Sequence, residues 1–273
     1  RSTGNIIAEN YIVSSSVTYM TSSFSSGSTV FGNSNDDTHT FTGSLFITGS
    51  RIDIVDGKNN TAVGKNALLS GTSGQQNTII GSLAADASTT TSYLTCVGYG
   101  AGGAINHTDA DATTAIGKTA LAALTSGQGS TALGNNALLS VTTGDYNTAL
   151  GFNAGKFNDD GSNNTYVGNS AGLGVSGEGH SNNTAVGTNA LLAVTTGGYN
   201  VAIGQNAGDS LTDGQTNVII GAETGDGTTS VRKATIIGQN AGRANMTTAA
   251  NGTVAIGAES LEALTSGIAN TAI

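Results

Sequence analysis

The chain has 273 residues, with 41 glycines, no proline, no tryptophan and only 10% charged side chains. Nine basic against eighteen acidic residues give a net charge of −9, which makes nucleic acid and anionic membranes poor partners and points to a solvated acidic surface. The one cysteine, Cys96, excludes an internal disulfide framework and a cysteine zinc cage, and no apolar run approaches the roughly twenty residues of a membrane-spanning helix.

Low charge with few aromatics suggests disorder, but Val, Ile, Leu and Ala recur too regularly for that. The lack of proline fits a backbone whose N–H groups are all used in ladders. Residues 1–58 stand apart from the rest of the chain. They are rich in Ser and Thr as far as residue 29, and then carry FTGS at Phe41 and ITGS at Ile47 among alternating apolar residues. Extended β-structure is expected there, serving as a linking or attachment segment.

From residue 59 the chain repeats. A glycine closes the motif NTAVG and its variants at Gly64, Gly81, Gly98, Gly117, Gly134, Gly151, Gly168, Gly187, Gly204, Gly221, Gly238 and Gly257. The spacing is 17 residues, lengthened to 19 before Gly117, Gly187 and Gly257, so four units make a super-repeat of 70. The chain opens on Arg1 and closes on Ile273 just where the next glycine is due, so a fragment of a longer protein is expected.

The residue before each glycine is Val, Ile or Leu, and the residue three before it is Thr or Val. Residues two apart share a strand face, so these rows line one side of a sheet. Thr and the aliphatic row are expected to point inward together. The residue between them is small in most units, so the opposite face is also apolar and is expected to pack against other copies. Ala follows three residues after the glycine in ten of twelve units, as a tight corner requires, and then come a second short apolar stretch and a turn. Each unit reads as strand, corner, strand, turn.

Seventeen residues cannot bury a core alone, and helical periodicity is missing. A parallel β-solenoid of stacked coils, about 60 Å long at ~4.8 Å per coil, is the simplest solution. Its thin core predicts an obligate homo-oligomer, with a trimer as the expected form. Asn stands four before the glycine at Asn60, Asn77, Asn147, Asn164, Asn183, Asn200, Asn217 and Asn270. These fit either an amide ladder along the rod or simple turn preference.

The runs NTAVGKNAL, STALGNNAL, NTALGFNAG and NTAVGTNAL resemble the head repeats of YadA-like trimeric adhesins, and more closely the seventeen-residue version in bacteriophage tail fibres. That resemblance implies a left-handed parallel β-roll, three chains in one fibre, and a role at a surface touching a host. By the same analogy residues 1–58 look like the extended, intertwined β-segments that link fibre modules. The implied partners are two further copies, other virion fibre or baseplate proteins, and host cell-surface glycan. The alternative setting is a bacterial surface adhesin.

No catalytic constellation stands out. His39, His107 and His180 form no HExxH, and neither GxSxG nor a P-loop is present, so no enzyme activity and no cofactor or metal are expected. Asp159-Asp160 reads as a turn cap before a cation site, and the Asn-x-Thr sequons fall out of the repeat. The three longer coils are the candidate contact loops, because repeat insertions map to one face. Asn106, His107, Asp109, Asp111, Glu178 and His180 lie there, as a weak multivalent ridge or as bulges inherited by duplication. Ice binding through the Thr row is the third reading, and an inward Thr row argues against it.

Overall fold

A computed structural model describes residues 58–273; the linking segment expected over 1–58 lies outside them but for Lys58. The described residues form a parallel β-solenoid. Thirteen short strands, from Thr61–Val63 to Thr271–Ala272, pair in chain order within one parallel sheet. Thr61 stands opposite Thr78, and the motif keeps this register across the longer steps as well, with Thr95 opposite Thr114 and Thr165 opposite Thr184. Two added residues therefore change the circumference of a coil and leave the sheet unaltered.

The glycine after each strand permits the stack. Gly134 has φ 146°, and a Cβ on it would lie 2.2 Å from the carbonyl oxygen of Gly151 in the next coil. Backbone rests on backbone along this column, so neither the conformation nor the space admits a side chain.

Two expectations are corrected by the fold. The middle residue of each strand, not the Thr and Val/Ile/Leu pair, faces the core. Ala115, Ala132, Ala149, Ala185, Ala202 and Ala255 are buried, as are Ile79, Cys96, Tyr166, Ile219 and Ile236 in the same position. The aliphatic row before the glycine lies outside, where Val63, Ile80, Leu133, Leu150 and Ile203 are 39% to 44% exposed. A three-residue strand turns one side chain into the coil and two out, and the middle residue is the one turned in.

The second apolar stretch is also not a strand. In the Gly134 coil, Asn136 and Leu138 have φ 56° and 50°, which curls the chain where an extended strand would run straight. Its amides still bond to the next coil, Leu138 N–H to the Ala154 carbonyl at 2.9 Å and Ser140 N–H to that of Lys156 at 3.0 Å. The Ala after each glycine does sit in the tight corner as expected, and Ala84 through Ala241 are buried there.

Core volume is exchanged between two positions. Where the strand centre is Ala, the residue four after the glycine is Leu, as with Ala115 and Leu121, Ala132 and Leu138, and Ala185 and Leu191. Where the centre is large, that partner is Gly or Ala: Cys96 with Gly102, Tyr166 with Gly172, Ile219 with Gly225, Ile236 with Gly242 and Ile79 with Ala85. A Cβ on Gly172 would fall 2.3 Å from the Tyr166 ring, and one on Gly102 would fall 2.8 Å from Cys96 Sγ. Two coils have Ala with Gly, and there the next coil fills the gap: Tyr166 leans over Gly155 and Ile219 over Gly208. Close packing is thus kept by side chains of quite different size.

The asparagines form a buried column, which decides between the two readings of that row. Asn200 Oδ1 accepts from the Asn217 N–H at 3.1 Å, and Asn200 Nδ2 donates to the Gly214 carbonyl at 2.9 Å. The same pattern links Asn147, Asn164, Asn183, Asn200 and Asn217 without a break, and Asn60 with Asn77. Each amide satisfies backbone groups at a corner that no strand pairing reaches.

Candidate functional site

The outward side of the strands is the most extensive chemical feature of the described residues. Its Thr or Val row and its Val, Ile or Leu row run parallel along the whole sheet. Five exposed aromatics flank it. Tyr93, Tyr146 and Tyr199 stand two residues before the strand, and Tyr99 and Phe152 stand just after the glycine. The burial alternates residue by residue through Tyr93, Leu94, Thr95, Cys96 and Val97, which places Tyr93 on the outward side with Thr95 and Val97.

The longer coils are not one ridge. In the first, His107 caps a single 3₁₀ turn at Thr108–Ala110, with its Nδ1 accepting from the Asp109 N–H at 3.2 Å. Asp109 Oδ2 lies 3.2 Å from the same ring nitrogen in an exposed pair. Asn106 accepts from the Thr89 hydroxyl at 2.6 Å, and Asp111 accepts from the Ser92 N–H at 2.6 Å. These residues brace neighbouring coils. The third long coil repeats the device with Thr247 capping Thr248–Ala250, and Asn251 accepting from the Arg232 N–H at 2.7 Å.

The second long coil is built differently, and His180 is not on the surface. The imidazole is only 2% exposed, with Nδ1 2.8 Å from Asn158 Oδ1, which also accepts from the His180 N–H at 3.0 Å. A carbonyl oxygen cannot donate, so the proton is assigned to Nδ1. Nε2 then faces the buried Tyr166 hydroxyl at 3.5 Å. Burial pulls the imidazole down to about 4 and raises the Tyr166 phenol well above its ordinary value. His180 stands seven before its glycine, where most coils carry Gly packed under the next carbonyl. Thr91, Ala110, Val231 and Ala250 are buried at the same position, so a coil of either length takes a side chain there.

Glu178 is half-buried, and its carbonyl accepts from the Asp159 N–H at 3.1 Å. Asp159 Oδ2 accepts from the Gly177 N–H at 2.9 Å, a turn contact. The six candidate residues thus fall into two groups four coils apart, about 19 Å at ~4.8 Å per coil. No single ligand site assembles from them.

Two shallow grooves lie on the corner before the strands. One of about 290 Å³ is lined by Asp109, Ser126, Gln128, Thr143 and Asp145. The other, of about 310 Å³, is lined by Gln215, Thr216, Arg232, Lys233 and Asn251. One is acidic and the other basic, so they do not repeat one binding chemistry. Among the described residues no cluster of three His, Cys, Asp or Glu side chains is placed to hold a metal, and no helix is long and apolar enough to cross a membrane. Burial pushes the Cys96 thiol up to about 12, so it carries no nucleophilic chemistry in the folded chain.

The strand-face aromatics escaped the repeat reading because they break the consensus. A spacing of 53 residues, shared by Tyr93, Tyr146 and Tyr199 and by Tyr99 and Phe152, is the signal that marks them. Comparison with protein-family models and with curated proteins finds no match.

Proposed function

We propose that this chain is a shaft segment of a homotrimeric extracellular fibre of a phage virion, which presents, or contributes to, host-surface binding. The observation that supports it is the unbroken outward ladder of Thr, Val, Ile and Leu along the sheet. Soluble monomers rarely leave so continuous an apolar stripe in water, and three copies closing around it would bury it. The copies pack through the strand face; the alanines first expected to do this are inside the coils. Such a rod acts by reach and by threefold presentation, which multiplies weak contacts to a host glycan. Its ends would join other fibre or baseplate proteins.

Sedimentation equilibrium of the purified chain, with electron microscopy of the particles, tests this reading. Three times 26.8 kDa in a rod-shaped particle is expected, and a monomer at micromolar concentration overturns it. Binding of that rod to host cells then tests the adhesive role.

Ice binding gains one observation, because the Thr row points out and not in. The neighbouring row is aliphatic, however, and aromatics rise at its rims, which suits protein contact better than a flat water lattice. Thermal hysteresis in dilute solution would favour the ice reading.

A further inference from the structure

We infer that the aromatics at the rims of the strand face set the axial register between copies of the chain, with Tyr93 of one copy against Tyr99 of the next and Tyr146 against Phe152. This rests on the oligomeric reading above.

A face built from repeats has a register problem. Thr61, Thr78, Thr95 and their aliphatic partners look alike from coil to coil, so two copies sliding past each other by one coil, ~4.8 Å, would lose little contact. Something that does not repeat at every coil must forbid the slip. The rim residues are what differ. Tyr93, Tyr99, Tyr146 and Phe152 are 58%, 53%, 55% and 50% exposed, and they bracket Val97 and Leu150 in the coils of Gly98 and Gly151. At the two rim positions of the other coils the only aromatic is Tyr199.

Symmetry turns this pairing within a coil into a pairing between chains. When copies are related by rotation about an axis parallel to the rod, the leading rim of one face meets the trailing rim of the next at the same height, whatever the number of copies. Aromatics on both rims of one coil therefore meet each other across each interface. A slip of one coil would set Tyr93 against Ser82 or Lys118, and Tyr146 against Asn135 or Asn169.

The rings are also held ready. The Tyr146 ring lies against Gly129 of the preceding coil, where a Cβ would be 3.0 Å from Cδ1, and its hydroxyl donates to Gln128 Oε1 at 2.6 Å. Tyr93, Tyr146 and Tyr199 have φ 62°, 54° and 60°. The position takes this conformation in every coil, with Gln76, Ala112, Thr216 and Lys233 at φ 57° to 61°, so the ring and not the backbone sets these coils apart. Between the rings, Val97 and Leu150 give a second copy apolar surface to cover, beside the hydroxyls of Thr95 and Thr148.

Cysteine reporters test the register without touching the four aromatics. Tyr199→Cys with Gln205→Cys places a thiol on each rim of one coil; Tyr199→Cys with Thr188→Cys offsets them by one coil. Within one chain the rims are several residues apart along extended backbone, too far for a disulfide, so a bond must join two copies. Cys96 is buried and does not compete. On native rims the same-coil pair is expected to cross-link about tenfold more than the offset pair. With Tyr93, Tyr99, Tyr146 and Phe152 all changed to Ser, the rods should still assemble but the two pairs should cross-link comparably. An unchanged preference in that quadruple variant, or an offset preference on native rims, overturns the register inference. A monomer in sedimentation overturns the oligomeric reading instead.

Discussion

At the residue scale the coil is a small container with a fixed volume and two ways of filling it. Tyr166→Ala should cost about 3–5 kcal/mol in chemical denaturation, the range for losing a buried aromatic. Adding Gly172→Leu should recover part of that loss, because Leu already stands at φ 50° in the equivalent positions 121, 138 and 191. Recovery smaller than the error of the measurement would remove the volume-exchange account. His180 supplies a pH dependence of known sign. Its folded value of about 4 lies below the ordinary 6.5, so the unfolded chain binds the proton more readily. Stability is complete above pH 6.5 and falls as pH drops toward 4, and His180→Gln should flatten that slope in thermal scans.

Asp209 works the other way. Burial, and then the carboxylate of Asp226 one coil on, raise it to about 6 from 3.8. Its contribution is present below pH 4 and is lost as pH rises through 6. Asp209→Asn should remove that loss, and thermal scans of the two single variants separate the overlapping windows.

At the scale of the element, one coil depends on its neighbours for every corner. Asn200 illustrates this, since its side chain serves Asn183 in the coil before and both Asn217 and Gly214 in the turn of the coil after. Asn200→Ala should destabilise by about 2–3 kcal/mol, because buried backbone groups lose their partners. Amide exchange should quicken at Asn217 before it does in distant coils. The column is interrupted at Leu94, Thr113, Ser130, Ala234 and Thr253, so its contribution is regional. The longer coils are likewise structural where they are ordered. Ala110, His180 and Ala250 lie inside them, and polar side chains of the first and third brace the coil before.

At the scale of the whole molecule the outward stripe is the feature that asks for a partner. Leu133→Lys with Leu150→Lys places charge on two exposed side chains that the fold itself does not bury. The circular dichroism spectrum should be retained while the sedimenting mass falls to that of one chain. A retained oligomer would move the interface elsewhere on the rod.

The sequence by itself determined the solenoid, its 17- and 19-residue coils and its corner alanines. A seventeen-residue period with strand-like alternation has no other way to bury its apolar residues. It also marked the asparagines, although only their geometry separates a ladder from a turn preference. Which strand face is the core was decided by the tertiary structure. Alternation labels both faces apolar, and only the direction in which the coil closes turns the single middle residue of each strand inward and the Thr and aliphatic rows out. The same closure placed His180 inside: it takes the regular corner position seven before its glycine, and no local pattern records that Asn158 and Tyr166 meet its ring there.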